Sequence, residues 1–325
     1  MRWNDGGATA PWPVALFASV MGLAGLALAW RLAAQGTVLS WVSDAFAASA
    51  WLMFMLLCAV QWRRLRRDRA AWLAELRQPA GAPFAGTFWI SLLLLPMLLP
   101  AYAVLPARAL WLFGASGMVV FAWRICRSWL TERQVMRQVS AAWLIPAVGL
   151  LDIPLAFPAL GWPAWREVMV IALAGGWLLA AMLFVLACAR LLFHPAWPPA
   201  LRPSLLILSA PFAVGFSAYV ALAGAVDAFA RALFYLDVLL LVLLLPRTVA
   251  WLRGQPFLLS WWALGFPLAA SAVAALRYAK ATPSVWAEWL ALALLFVASG
   301  TVAALAWRSL RGLLRGERML PVPAR

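Results

Sequence analysis

The chain has 325 residues, of which 66% are hydrophobic and 11% charged, and its mean hydropathy is +0.90, values outside the range of water-soluble domains. A net charge of +15 would suggest a nucleic-acid partner in a soluble protein, but the apolar content excludes that class. One histidine, His194, and three isolated cysteines, Cys58, Cys126 and Cys188, give no metal-ligand or disulfide spacing, so no metal and no cofactor is expected.

Ten apolar runs long enough to cross a bilayer follow one another, at about 12–34, 41–62, 83–105, 108–129, 139–160, 165–190, 203–223, 228–246, 257–278 and 285–307, with a basic tail at 308–325. Barrel-type alternation is absent, so the fold class is an all-α integral membrane protein using nearly the whole chain as one transmembrane domain. Span 1 lacks a basic n-region followed by a short apolar core, so it is expected to be retained rather than cleaved. It carries Gly22 and Gly25, and span 2 runs from Trp41 to Trp62 before a loop with Arg63, Arg64, Arg66, Arg67, Arg69 and Arg77. Span 3 reads LLLLPMLLPAY, with Pro96 and Pro100. Span 4 begins near Trp111 and contains Trp123-Arg124. Span 5, AWLIPAVGLLDIPLA, holds Pro146, Pro154 and the only acid well inside an odd span, Asp152. Span 6 starts at Trp165, span 7 carries Pro211 in LILSAPFAVGFSAY, and span 8 starts near Phe229. Span 9, WWALGFPLAASAVAALRY, sets Phe266 before Pro267, and span 10 runs from Trp286 to Trp307-Arg308.

Two regularities organise these runs. Interior prolines fall in spans 3, 5, 7 and 9, whereas the even spans carry aromatic and basic anchors at their ends. A carbonyl freed by proline is best tolerated inside protein or a wet cavity. The expectation is therefore five helical hairpins, with an inner ring of odd helices around a central pore and an outer ring of even helices against lipid. The second regularity is charge. The segment before span 1, the ends of the even spans and the segments after them hold 20 of the 26 Lys and Arg residues with five of the eleven acids, which is the whole +15. That asymmetry places both termini and the long loops in the cytoplasm. The Ala, Arg, Leu and Trp bias suggests a bacterial source, hence an inner-membrane location.

PVALFASVMGLAGLALAW in span 1, SAPFAVGFSAY in span 7 and WALGFP in span 9 resemble the tellurite-resistance and dicarboxylate transporter family, which includes TehA-like proteins and the slow-type anion channels of plant guard cells. The resemblance implies ten helices in five hairpins about a pore, association into a homotrimer, and a phenylalanine of span 9 that plugs the pore. Phe266 occupies that position. Similar proteins carry a proline in the middle of span 1, where this chain has Val20, Met21 and Gly22.

On a regular helix Leu259, Trp262, Phe266, Ala269 or Ala270, Val273 and Arg277 share one face, with Phe266 its one large central ring. Read without the resemblance, the ring is equally at home in interhelical packing. For Asp152 three roles stand open: partner of Arg277, Arg31 or Lys280, proton-coupling group, or wet residue at the outer mouth. Tyr219, Tyr102, Ser19, Ser91, Ser209, Ser217 and Ser271 are candidate hydroxyl donors to an anion, while Asp237 and Glu288 read as structural or interfacial. Neutral walls with few hydroxyls suit weak anion binding and passive permeation, with Phe266 as gate. The alternative is a proton-coupled exporter of a weak-acid anion such as sulfite, tellurite or a C4-dicarboxylate. The nucleophile, base or clustered acids of an enzyme are not visible.

Overall fold

A computed structural model describes residues 12–77, 81–317 and 319. The segment carrying Arg2 and Asp5, and Arg318 and Arg325 of the tail, lie outside the described residues. Among the described residues, nine apolar helices are long enough to cross a membrane: α1 (Val14–Ala33), α2 (Ser40–Arg67), α4 (Ala101–Thr131), α5 (Ala141–Leu160), α6 (Pro163–Phe193), α7 (Pro199–Ala223), α8 (Ala228–Leu252), α9 (Leu259–Ala281) and α10 (Val285–Arg315). A shorter apolar helix, α3 (Ala82–Leu98), completes ten. Its seventeen residues, nine α and eight 3-10, rise about 30 Å, about the thickness of a bilayer core. The expected span 3 ends early: the chain turns extended at Leu99 and Pro100 and enters α4. Pro100 lies in this break and is not interior to a helix.

Burial divides the helices by parity. Among the nine long helices, the most apolar stretches of α1, α5, α7 and α9 are 72–89% buried, while those of α2, α4, α6, α8 and α10 are 28–33% buried. Contacts run α1 to α3, α3 to α5, α5 to α7, α7 to α9 and α9 back to α1, which closes a five-membered inner ring. Each even helix packs on the odd helix before it and turns its other side outward. Trp41, Trp62, Trp123, Trp286 and Trp307 are exposed on these outer helices, as interfacial anchors should be. Trp111 departs from that scheme. It is fully buried and its indole N–H donates to the Ile153 carbonyl beside Pro154, satisfying backbone that a proline-containing helix leaves open.

Every odd helix opens with 3-10 turns, at Val14–Leu16, Ala82–Ala85, Ala141–Leu144, Pro199–Leu208 and Leu259–Leu264. The prolines mark where a new segment starts. Pro96, Pro146, Pro154 and Pro211 each occupy one of the first two positions of a 3-10 or α segment, where the fixed φ suits the start of a new segment. They remain interior to α3, α5 and α7 and mark where each helix changes its hydrogen-bonding pattern. Proline is also not confined to the inner set, because α8 continues through Pro246 to Leu252. The tail likewise begins later than expected, since α10 stays helical to Arg315 and turns at Gly316.

Helix α1 needs no proline. It is α-helical without interruption from Phe17 to Ala33, and its glycines serve close approach. A Cβ on Gly22 would stand 3.3 Å from the Gly265 Cα, and one on Gly25 would stand 3.0 Å from the Ala269 Cβ. Two small-residue faces thus bring α1 and α9 nearly backbone to backbone.

Candidate functional site

Within the ring, two cavities lie end to end, each lined by side chains from all five odd helices. The larger, about 100 Å³, lies toward the C-terminal ends of those helices and is walled by Gly25, Leu28 and Arg31 of α1, Leu94 and Met97 of α3, Asp152 and Leu155 of α5, Val214 and Ser217 of α7, and Ala270, Val273 and Arg277 of α9. The smaller, about 20 Å³, lies toward the N-terminal ends among Ala18, Met21, Thr87, Ile90, Val148, Ile207 and Pro267. Its volume holds about one water, whereas the larger holds several. Phe266 is the one residue lining both.

The local sequence explains how the ring reaches the axis. Leu259–Leu264 is 3-10 and Gly265–Ala281 is α-helical, so the side-chain stride changes from 3.0 to 3.6 residues per turn just before Phe266. Phe266, Ala270, Val273 and Arg277 therefore share the inward face as expected, but Trp262 does not. Its indole N–H donates to Ser309 Oγ on α10, and Ala263 lines the small cavity instead. Phe266 is 6% exposed. Of its small neighbours, Ala269 packs toward Gly25 and Ser271 turns away to donate to Asp237 Oδ1 at 2.9 Å, which leaves Ala270 beside the large cavity.

Charged groups gather in the large cavity alone. Asp152 is fully buried, and neither of its carboxyl oxygens has a hydrogen-bond partner; the Ser217 hydroxyl is likewise unpartnered. Arg31 donates from both terminal nitrogens to the Met97 and Leu98 carbonyls, the open C-terminal end of short α3. Arg277 Nη1 donates to the Ser217 carbonyl at 3.0 Å. Among the described residues the ion pairs are Arg64–Glu75 and Arg315–Glu317, so Asp152 pairs with none of Arg277, Arg31 or Lys280. Lys280 reaches Gln35.

Other sequence candidates fall elsewhere. Ser19 donates to the Leu16 carbonyl and Ser209 to Leu206 within their own helices, and Ser91 donates to Thr87 in its own helix and to Phe17 of α1. Tyr102 is 89% exposed in the first turn of α4. Tyr219 donates to Asp227 Oδ2 at 2.5 Å, at the start of α8. There the Ala230 N–H, followed by that phenol, holds the Asp227 carboxyl below its ordinary range. Pro96, Pro146 and Pro211 are buried but line neither cavity, while Pro267 lines the small one. Asp237 is fully buried at the α8–α9 contact, and Glu288 is exposed in the first turn of α10. The residue that sequence reasoning placed least well is Arg31. The stride Gly25, Leu28, Arg31 along α1 was the available signal.

A ring of five inner helices, sheathed by five outer ones and enclosing an interrupted axial cavity, defines a multi-pass membrane protein of the channel and transporter class. The chain belongs to the SLAC1 family, described as voltage-dependent anion channel, whose match covers residues 12–310. It is similar to an uncharacterized transporter of Methanocaldococcus jannaschii, 25% identical over 67% of this chain and 69% of that protein. The S-type anion channel SLAH3 of Arabidopsis thaliana is 23% identical over 90% of this chain and 47% of its own length. For the guard cell S-type anion channel SLAC1 of the same plant the figures are 30%, 43% and 25%. The chain thus spans about half or less of these plant channels.

Proposed function

We propose that this protein is an anion channel in which ions cross the membrane passively through the five-helix ring, and that Phe266 is its gate, set in place by Pro267. The observation that carries this reading is that Phe266 alone borders both axial cavities. The family and the names of the plant relatives supply the word anion. A bacterial inner-membrane location with both termini cytoplasmic is supported by composition and by the division of charge. A homotrimer is supported only by the resemblance noted from sequence. One observation favours the second reading, a proton-coupled exporter: the buried, unpartnered Asp152 in the large cavity.

Anion currents across planar bilayers test the gate. In a packed core, Phe→Ala costs about 3 to 5 kcal/mol and opens nothing. Here Phe266→Ala joins the two cavities, so conductance is expected to rise at least tenfold while the protein remains intact by size-exclusion chromatography. Phe257→Ala, at the start of the same span, should change conductance little. An intact Phe266→Ala protein conducting no more than wild type returns the ring to ordinary packing. Uphill anion accumulation driven by a pH difference, present in wild type and absent in Asp152→Asn, favours the exporter.

A further inference from the structure

The large cavity is more than a widening of the passage. Its donors are held in place before any ligand arrives. The Arg277 guanidinium is anchored through Nη1 to the Ser217 carbonyl, while its Nε and Nη2 donate to no group among the described residues. Such a free pair of parallel N–H groups matches two oxygens of one oxyanion and has no comparable fit to a spherical halide. Beside it stands the unpartnered Ser217 hydroxyl. Arg31 adds fixed positive charge, with its terminal nitrogens already engaged by Met97 and Leu98.

Asp152 makes the site unusual. A cavity that served only to attract anions gains nothing from a carboxyl in its wall. Yet Asp152 is fully buried, faces the same space as both guanidiniums, and has no donor for either oxygen. A buried acceptor without a donor is destabilising, more so if charged, unless a ligand or water supplies the missing bond. The cavity therefore presents donors on one side and an acceptor on the other.

We infer that the large cavity is a binding site for a small monovalent oxyanion that carries its own hydroxyl: its anionic oxygens lie on the Arg277 fork and Ser217, and its O–H donates to Asp152. This rests on reading the ring as an anion path, and it adds a selectivity that the gate does not provide. Volume agrees, since about 100 Å³ accepts a three- or four-oxygen anion, toward which the buried Asp152 carboxyl and Ser217 hydroxyl turn as it binds.

Hydrogencarbonate and nitrate make a matched pair of probes, both planar, monovalent and three-oxygen, one built on carbon with a hydroxyl and the other on nitrogen without one. Binding is measured by calorimetry on the detergent-solubilised full chain at pH 7.5, where the state of the gate in a membrane does not enter. Wild type is expected to bind hydrogencarbonate about tenfold more tightly than nitrate. Arg277→Gln should weaken both anions by a similar factor, about tenfold or more. Asp152→Leu replaces an unpartnered carboxyl with an apolar side chain of similar size, so the fold should persist; it should bring hydrogencarbonate down to the level of nitrate while leaving nitrate no weaker. Asp152→Asn is the second variant and should give a reduced preference. Equal binding of the two anions by wild type overturns the inference, as does a preference that survives Asp152→Leu, or no binding of either anion. Because conductance of Phe266→Ala is scored separately, loss of this selectivity site and loss of the gate reading give different results.

Discussion

At the scale of single residues, position along the axis matters more than chemical type. Phe266 is apolar, as are most of its neighbours, and its distinction is that it borders both axial cavities, each lined by five helices. The seam behind it is made of glycine. Gly22 and Gly265 meet where a Cβ on the former would come within 3.3 Å of Cα and 3.4 Å of the carbonyl carbon of the latter, and backbone cannot swing aside as a side chain can. Gly22→Ala must then displace α9 at the turn carrying the ring. Overpacking of this kind costs about 1 to 3 kcal/mol. The expected outcome is a lower midpoint of thermal unfolding in detergent together with altered conductance. Gly300→Ala is the control, because nothing lies within 4 Å of the space its methyl would take. Equal midpoints for the two variants would contradict the backbone contact.

Among the elements, proline has two different energetic signs, and the difference is measurable. Pro211 starts the α segment Ala210–Ala223, whereas Pro246 stands inside α8 with its side chain exposed. Pro211→Ala releases a preset φ and should lower stability by about 0.4 to 1 kcal/mol. Pro246→Ala restores a helix hydrogen bond and relieves a clash whose full cost is about 3 kcal/mol, so stability should rise, by about 1 to 3 kcal/mol. Opposite shifts of the unfolding midpoint check both; two shifts of one sign would show that proline position is not what decides. The same residues show why the sequence was readable only in part. Parity, hairpin order and the inner ring follow from run length, anchors and proline placement, all of which are local. The inward face of α9 was legible from Phe266 to Arg277 because an ideal helix holds there. It failed at Trp262 because the 3-10 segment changes the stride, and no local signal announces that change. Trp111 failed for a related reason: an aromatic near a helix end serves lipid or a neighbouring carbonyl equally well, and only the packing of α4 on α5 decides. Arg31 was seen as a charge in need of an acid, whereas its partners are the end carbonyls of α3, which exist because that helix stops short.

For the whole molecule, the two ends of the ring differ in how many bases they gather, and this bears on orientation. At the end formed by the C-termini of the odd helices, Arg108 donates to the Leu160 and Gly161 carbonyls, Arg166 to Leu222, Arg31 to Met97 and Leu98, and Arg277 to Ser217. Most of these caps satisfy carbonyls that a helix C-terminus leaves open, and the surrounding charge is balanced. At the other end Arg66, Arg127, Arg247 and Arg308 stack on Trp62, Trp123, Trp251 and Trp261, a pairing suited to the headgroup layer, and the excess of +15 collects there. That end is expected to face the cytoplasm, with the large cavity opening to the opposite side. A reporter active only in the cytoplasm, fused after Arg315, should be active. The same reporter inserted at Gly161 should be silent, and one active only outside should replace it. Gly161 suits an insertion because it turns with φ of +53° and nothing stands within 4 Å of the space a side chain would fill. Both sites reporting the same side would break the α5–α6 hairpin or the even number of crossings. Activity inside at Gly161 and outside after Arg315 would invert the molecule, and the hydroxyl-bearing anion site would then meet the cytoplasm first.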